Sequence, residues 1–338
     1  MSQAPRPLER LSFIVPVKND AARLKACLET IVRNRPGADR EIVVVDNGST
    51  DASREVAAAA GARVETLPGL RVSELRNRGA AGATGDVLAF VDADHLLAET
   101  WAASVVDVLG DANVGAVGAL CLSPAQGTWV QRMYGALRGR TRGRSDTRWL
   151  GAGNMAVRRT AFESVGGFDA ALEACEDVDL CNRLRAAGWR IVADERLENV
   201  HLGDPASLGR LFRAERWRAT DNVRVTLRGP VTLRDLPSVL VPVIDLAAMA
   251  AVALGAVTLP IAGRASVIAI VIAASVMLGL SALRAARAFA SGTLALADLP
   301  RGFAVAVVWD TARALALVWP APHHGRRRTG LQSGAAAT

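Results

Sequence analysis

The chain has 338 residues, of which 51% are hydrophobic and 22% charged, and its formal net charge is +7. This composition excludes an intrinsically disordered chain, and the length favours two domains or one large domain with an appendage. Lys18 and Lys25 are the only lysines, so arginine carries nearly all the positive charge. Aromatic residues make up only 4% and do not interleave with arginine. The basic balance therefore favours membrane headgroups or phosphorylated substrates as partners over nucleic acid.

Cysteine spacing and the N-terminus bear on the cellular compartment. The four cysteines form no CxxC pair and no metal-finger spacing, which is typical of reduced cysteines in the cytoplasm; they are Cys27, Cys121, Cys175 and Cys181. Residues 1–10 contain prolines and charges but no apolar core of a secretory signal. We therefore expect the N-terminal part of the chain to lie in the cytoplasm.

Residues 11–200 alternate short apolar runs with helical patterns. The runs that predict buried strands are Leu11–Val17, Glu41–Asp46, Ala62–Thr66 and Asp86–Val91. Between them Ala21–Arg33 and Asp51–Ala60 have helical spacing, and Ser49, Thr50 or Asp51 can cap the second helix. The alternation predicts an α/β fold with a mostly parallel sheet and helices on both faces. Ligands of such sheets bind beyond the carboxyl ends of the strands.

The C-terminal third has a different character. Val239–Leu259 is apolar except for Asp245, and Ala265–Leu283 carries no charge. Each run approaches the ~20 residues that cross a bilayer, which predicts a hairpin of two transmembrane helices joined near Gly263. The alternative is that these runs are buried helices of a soluble domain. From these changes we predict three parts, at residues 1–220, 221–320 and 321–338.

The charges around the predicted hairpin indicate its orientation. Arginines lie on its outer flanks, at Arg224, Arg228 and Arg234 before it and Arg284 and Arg287 after it, against Arg264 alone in the link. The positive-inside rule then places both flanks in the cytoplasm. A third apolar run, Phe303–Trp319, contains Asp310 and Arg313, which is typical of a helix at the membrane interface or packed against the hairpin. Residues 321–338 are predicted to form a disordered basic tail.

An acidic pair, Asp92 and Asp94, directly follows the predicted strand at Asp86–Val91. Two carboxylates at positions i and i+2 at a strand end can hold one divalent cation, and such oxygen ligands suit Mg²⁺ or Mn²⁺ with positions left for substrate phosphates. An acidic triplet alone is weak evidence, because a solvated turn has the same pattern. The motifs GxGxxG and GxxxxGK[ST] are absent from the sequence, so two common phosphate-binding loops are excluded.

Further motifs in a fixed order give the acidic pair its context. The ordered matches are Val15-Pro16-Val17-Lys18-Asn19, Val45-Asp46-Asn47-Gly48-Ser49, Arg76-Asn77-Arg78-Gly79, Gly85-Asp86, Gly151-Ala152-Gly153-Asn154, Gly166-Gly167-Phe168-Asp169 and Glu176-Asp177-Val178-Asp179-Leu180. With them the chain resembles the family 2 glycosyltransferases of the GT-A fold over residues 10–220. Lys18 departs from the pattern, since relatives often carry an aromatic residue there. The apolar C-terminal third lies outside the resemblance.

The resemblance implies a set of site residues. It implies donor contacts from Pro16, Val17, Asn19, Asp46, Asn47, Arg76, Asp92 and Arg216, and acceptor-side positions at Gly153, Asn154 and Trp217. It implies a general base at Asp177 beside Glu176, and a divalent cation (Mg²⁺ or Mn²⁺) on Asp92, Asp94 and His201. We expect His95 to face solvent.

Each implied role has a plainer reading from the residues alone. Asp46 can cap the following helix, Arg76 can be an exposed helix arginine, and Glu176 and Asp177 can complement a helix dipole. Basic residues such as Arg216, next to Trp217, are also expected on a helix beside a membrane.

Together these features predict an inverting glycosyltransferase at the inner membrane with a cytoplasmic catalytic domain. We expect a nucleotide-sugar donor, with UDP-sugars favoured, and a hydroxyl acceptor on a lipid-linked glycan, a glycolipid or a polysaccharide, in contact with membrane lipid. Polyprenyl phosphate is the closest alternative acceptor. A sugar-nucleotide pyrophosphorylase would show a GxGxR-type loop where Pro16–Asn19 stand, and a catalytically decayed membrane scaffold would not need an intact set of acids.

Overall fold

The computed structural model describes residues 10–34, 39–229, 232–233 and 235–321. Its strands are β1 (Arg10–Val17), β2 (Asp39–Asp46), β3 (Arg63–Thr66), β4 (Val87–Val91), β5 (His95–Leu97), β6 (Val114–Gly118), β7 (Arg144–Asp146), β8 (Asn154–Arg158), β9 (Arg190–Asp194) and β10 (Asn199–His201). Its helices are α1 (Ala21–Arg33), α2 (Ser53–Ala59), α3 (Val72–Gly82), α4 (Trp101–Leu109), α5 (Trp129–Arg138), α6 (Arg159–Ser164), α7 (Glu176–Ala186), α8 (Leu208–Arg218), α9 (Asn222–Arg228), α10 (Leu236–Ala262), α11 (Arg264–Ala290) and α12 (Leu299–Ala316). Arg234 and the predicted tail from residue 322 onward lie outside the described residues.

Eight strands form the main sheet, in the order β3-β2-β1-β4-β8-β6-β9-β7. Strands β1 to β4 run parallel, and β6 and β9 are parallel to each other. Strand β8 is antiparallel to both of its neighbours, and β7 is antiparallel to β9. The predicted α/β fold with a mostly parallel sheet is confirmed, and the first four predicted strands end at the predicted residues.

Both faces of the sheet are covered, which is why its central strands are apolar almost throughout. Phe13 of β1 points to the face that carries α1, α2 and α4, and its ring lies 5.8 Å from that of Trp101. Ile14, the next residue, packs on the opposite face with Leu75 of α3 and Leu180 of α7. This alternation leaves the polar strand ends at one edge of the sheet as the exposed feature of the domain.

A second, two-stranded sheet lies beside this edge. Strand β5 follows the acidic pair and runs antiparallel to β10, with His95 opposite His201. The two histidines are 106 positions apart in the sequence, so only this pairing brings His201 to the end of β4.

The predicted hairpin is present as helices α10 and α11, joined at Gly263, whose φ of +46° favours glycine. Both helices are long and apolar enough to cross a membrane. They expose large aliphatic side chains: Leu254 is 65% exposed, Val257 75% and Ile261 90%. A core helix of a soluble domain would bury these side chains, so the soluble-core alternative is disfavoured.

Helix α12 packs against the hairpin and also against α5 and α8 of the N-terminal part. Val305, Ala306 and Ala312 on this helix are fully buried. Asp310 pairs with Arg284 of α11, and Arg313 pairs with Glu215 of α8. Both charged residues that interrupt the third apolar run therefore have protein partners, which matches a helix packed against the hairpin.

Candidate active site

The loops after β1 and β2 are joined at the polar edge of the sheet. Val17 and Asp46 end these strands side by side, and the Asn47 backbone N–H donates to the Val17 carbonyl at 2.8 Å. Asn19 adopts a left-handed conformation with φ 51°, and its side-chain oxygen accepts the Thr50 backbone N–H at 2.7 Å. Asn19 is thus a cross-link between the loops; a donor contact from Pro16, Val17 or Asn19 stays a prediction.

Asp46 and Asn47 shape the turn after β2. The Asp46 side chain is fully buried, and both its oxygens accept the Ser49 backbone N–H at 3.1 Å. Asn47 holds the loop after β3, donating to the Leu70 carbonyl at 3.0 Å and accepting from the Gly69 N–H at 2.7 Å. Asp46 therefore caps the turn at Ser49 and does not cap the following helix α2, whose N-cap is Ala52; base recognition by Asp46 and Asn47 remains a prediction.

Arg76 joins three distant segments of the chain. Its Nη2 donates to Asp92 Oδ1 at 2.7 Å and its Nη1 to Glu176 Oε1 at 2.6 Å, and the residue is only 3% exposed. Reading Arg76 as an exposed helix arginine is therefore wrong. Burial disfavours the charged guanidinium, but the two carboxylates raise the pKa of Arg76 above its usual range, and Arg76 in turn lowers the pKa of Asp92 against the effect of burial.

The two acids at the start of α7 have different surroundings. Glu176 is buried against Arg76, and burial together with the neighbouring Asp177 raises the pKa of Glu176 to about 7. Asp177 is partly exposed and accepts backbone hydrogen bonds from Val178 at 2.8 Å and Ala152 at 3.3 Å. Burial raises the pKa of Asp177 above its usual range. Glu176 therefore serves as the arginine partner, and Asp177 is the acid that opens to the surface.

In the described part of the chain, Asp94, His95 and His201 are the residues grouped closely enough to hold one metal ion. His201 Nε2 lies 3.3 Å from Asp94 Oδ2, and His95 Nε2 lies 3.8 Å from Asp94 Oδ1. The prediction for Asp94 and His201 is consistent with this grouping, whereas Asp92 is bound to Arg76. His95 is 3% exposed, so the expectation that it faces solvent is wrong. The strand register that places His95 opposite His201 and buries it cannot be read from the sequence.

Burial, hydrogen bonds and neighbouring charges set the protonation of these side chains in the absence of a cation. Burial opposes its charge, but hydrogen bonds to Asp204 and Asp94 raise the pKa of His201 to about 9. Burial raises the pKa of Asp94 by itself, yet the bond to His201 and the nearby charges bring it well below its usual range. Burial beside His201 lowers the pKa of His95 to about 4. Without a cation the group thus contains an ionised carboxylate, a neutral imidazole at His95 and a protonated imidazole at His201, which would release a proton on binding a metal ion.

The chemistry of these donors fits a divalent ion. One carboxylate and two imidazoles suit Mn²⁺ better than Mg²⁺, because the protein ligands of Mg²⁺ are typically all oxygen atoms. His201 Nδ1 lies 2.8 Å from Asp204 Oδ1, and such a carboxylate behind a histidine orients a metal ligand in many proteins. Glycines give the acids room: a Cβ on Gly203 would lie 1.9 Å from Asp94 Oδ2, and one on Gly153 2.6 Å from Asp92 Oδ2.

The Asn154 side chain does not reach the surface at the site. It is fully buried, accepts the Trp101 indole N–H at 2.7 Å and donates to the carbonyls of Ala119 at 3.1 Å and Leu197 at 2.8 Å. The expectation of an acceptor contact from this side chain is therefore corrected: Asn154 ties β8 to the loops behind the site. Its neighbour Gly153 is also buried and lies against Asp92, and an acceptor-side role for Gly153 stays a prediction.

Arg216 and Trp217 lie on α8, toward the C-terminal helices. The Arg216 guanidinium lies 3.9 Å from the centre of the Trp319 ring, which is a cation–π contact. Trp217 is half-buried on the same helix. A diphosphate contact by Arg216 and an acceptor contact by Trp217 are still predictions, and the Arg216 side chain would have to leave Trp319 to make the first.

Comparison with known proteins finds similarity to glycosyltransferases. Residues 12–166 match the model of the family described as Glycosyl transferase family 2. Glycosyltransferase AglE from Haloferax volcanii is 26% identical to this chain over an alignment that covers 66% of this chain and 76% of that protein. An N-acetylglucosaminyl-diphospho-decaprenol L-rhamnosyltransferase from Mycobacterium tuberculosis is 40% identical over 25% of this chain, which is 33% of that protein's length.

A solved structure extends the similarity to nearly the whole fold. The mannosyltransferase PcManGT from Pyrobaculum calidifontis, determined in complex with GDP-Man and Mn²⁺, superimposes with a TM-score of 0.59 at 20% identity. The superposition covers 94% of this chain and 89% of that one. At this level of identity the match establishes the GT-A fold and leaves the substrates open.

Proposed function

This chain is a family 2 glycosyltransferase, and we propose that it moves a sugar from a nucleotide-sugar donor to a hydroxyl acceptor with inversion at the anomeric carbon. One observation carries this proposal. Asp92 and Glu176, which are 84 positions apart in the sequence, both accept from the buried Arg76 at the carboxyl edge of the sheet, and Asp177 directly follows Glu176. Asp94 lies two residues after Asp92, beyond the end of β4, and His201 of β10 lies beside it.

In this proposal Asp177 is the general base. Its carboxylate is partly exposed, and two backbone N–H groups hold it in place, so it can take the proton of an acceptor hydroxyl as the oxygen attacks. A single attack from the face opposite the leaving nucleotide inverts the linkage. Glu176 keeps Arg76 in place, and Arg76 in turn orients Asp92 toward the donor side.

Asp94, His95 and His201 would hold a divalent cation, with Asp92 beside them. When bound, such a cation offsets the negative charge of a leaving nucleoside diphosphate. We favour Mn²⁺ on the donor chemistry and keep Mg²⁺ as the second candidate. UDP-sugars remain the favoured donors, and GDP-sugars are the first alternative because PcManGT was solved with GDP-Man.

We propose that the acceptor is lipid-linked or belongs to a polysaccharide and that the enzyme works at the inner face of a membrane. The exposed aliphatic surface of α10 and α11 supports membrane insertion, and the arginines at Arg224, Arg228 and Arg287 support cytoplasmic flanks. A relative named as acting on a diphospho-decaprenol-linked sugar supports the lipid-linked acceptor. A base at Asp177 favours a hydroxyl over polyprenyl phosphate, which needs no deprotonation.

A donor and cation screen on the full-length protein in detergent tests the proposal. We expect thermal stabilisation by one nucleotide sugar that requires Mn²⁺ or Mg²⁺, followed by slow donor hydrolysis and by transfer to a lipid-linked saccharide. NMR of the product should show the inverted anomer. Asp94→Asn should lose the metal-dependent stabilisation. A protein that binds no nucleotide sugar with any cation is the decayed scaffold, and retention of configuration refutes the mechanism.

A further inference from the structure

A series of buried polar side chains links His201 to helix α12. It begins at Asp204, whose Oδ1 lies 2.8 Å from His201 Nδ1, on the side of the ring opposite to Asp94. The Asp204 side chain has no exposed surface. A buried carboxylate in this place sets the direction in which the imidazole points.

Asp204 itself is held from several sides by α5 and the loop before it. Arg138 Nη1 donates to Asp204 Oδ1 at 2.8 Å, and the second nitrogen of its guanidinium donates to Oδ2. Ser123 Oγ donates to Oδ2 at 2.6 Å, and Gln131 Nε2 donates to the Asp204 backbone carbonyl at 2.8 Å. With these bonds in place the carboxylate has one orientation, and so has His201.

Helix α5 connects Asp204 to α8 and α12 through the side chains of Arg138 and Tyr134. The Arg138 guanidinium lies 4.6 Å from the centre of the Tyr134 ring, and the Tyr134 hydroxyl donates to Glu215 Oε1 at 2.7 Å. Glu215 is fully buried, and Arg313 of α12 donates to its Oε2 at 2.9 Å. The ring of Trp309, also on α12, lies 4.9 Å from that of Tyr134.

We infer that Asp204, Arg138, Tyr134, Glu215 and Arg313 form a bracket that positions His201, so that docking of α12 sets the cation affinity of the site. Withdrawal of α12 would remove Arg313 from the fully buried Glu215 carboxylate and leave it with Tyr134 and Arg218, which donates to Oε1 at 3.1 Å, so the bond to Oε2 is lost and the present arrangement of Glu215 is disfavoured. Cation binding and α12 docking are then thermodynamically coupled, so that each makes the free energy of the other more favourable. The inference rests on the cation role proposed above.

The test is the dissociation constant for Mn²⁺ alone, measured by electron paramagnetic resonance on full-length protein in detergent at a temperature where all variants are folded. We expect Asp204→Asn to raise it about 10–100-fold, as for other residues that orient a metal ligand. Arg313→Met and Tyr134→Phe should each raise it at least about threefold, a smaller effect because they act through Asp204. Arg313→Lys should recover part of the loss, because it keeps the charge.

Arg301→Met is the matched control, since Arg301 lies on the same helix and its side chain is 61% exposed. A purely structural role for the bracket would lower the melting temperature of Arg313→Met but leave its Mn²⁺ affinity unchanged. Wild-type affinity in folded Arg313→Met and Tyr134→Phe would overturn the link to α12, even if Asp204→Asn binds weakly. If wild-type protein binds no Mn²⁺ or Mg²⁺, the proposed cation role fails instead, which is a separate result.

Discussion

Replacing Asp177 by asparagine removes the proposed base with little change of shape. Asparagine can still accept the Val178 N–H that Asp177 accepts at 2.8 Å, so the start of α7 should persist. Its amide nitrogen then faces the Ala152 N–H, now 3.3 Å from Asp177 Oδ2, which sets donor against donor and costs about 1–3 kcal/mol. The lost proton acceptor should lower the transfer rate by about 10²–10⁴-fold.

Donor binding and transfer must be measured separately. We expect the donor dissociation constant of Asp177→Asn, measured by calorimetry with Mn²⁺, to stay within about threefold of wild type, because the proposed base contacts the acceptor hydroxyl and not the donor; threefold corresponds to about 0.7 kcal/mol. The transfer rate at saturating donor should fall by the full factor, equivalent to about 3–5 kcal/mol of transition-state stabilisation. A loss confined to the acceptor KM would indicate a binding role.

Asp179→Asn is the matched control for this experiment. Asp179 is two residues further along α7 and pairs with Arg183 at 2.7 Å. It should keep a transfer rate within about threefold of wild type, as expected for a residue outside the chemistry. Normal donor binding by Asp177→Asn together with transfer at more than about one tenth of the wild-type rate would exclude Asp177 as the base.

Three further predictions concern stability, pH and space in the site. Arg76→Met should lower the free energy of unfolding at pH 7.5 by about 3–5 kcal/mol in a denaturant titration, because the buried Glu176 and the half-buried Asp92 lose their cation; a change below about 1 kcal/mol contradicts this. The folded-state pKa of Glu176, about 7, lies above its ordinary 4.5, so the folded chain binds more protons between these values and the Glu176 contribution to stability falls as pH rises through this window. Glu176→Gln should therefore gain stability over wild type between pH 5 and 8, by on the order of 2 kcal/mol, and parallel pH curves for the two proteins would argue against the shift. Gly153→Ala should weaken Mn²⁺ binding, because its Cβ would lie 2.6 Å from Asp92 Oδ2, whereas Gly151→Ala, with its nearest neighbour at 3.9 Å, should match wild type in the same titration.

The local sequence pattern predicts the strands and helices and the positions of most of the acidic residues at the strand ends. Strand ends at Val17, Asp46 and Val91 follow from apolar runs that stop at polar residues, and these stops depend only on neighbours in the sequence. Because parallel strands end at one edge, the acids that follow them were expected to lie together. The two apolar helices were predicted for the same reason, since length and hydrophobicity are local properties.

Contacts between distant segments decided the rest. The burial of Arg76 depends on Glu176, which is 100 positions away in the sequence, and the place of His95 depends on the register of β5 against β10. No periodicity encodes such pairings, because many registers and partners satisfy the same apolar pattern. The sequence alone therefore determined a GT-A-like sheet with acids at its carboxyl edge and an apolar hairpin after it. Only the tertiary structure decided which acid is held by arginine, which histidines face Asp94 and that α12 docks on the catalytic domain, since each of these depends on long-range packing.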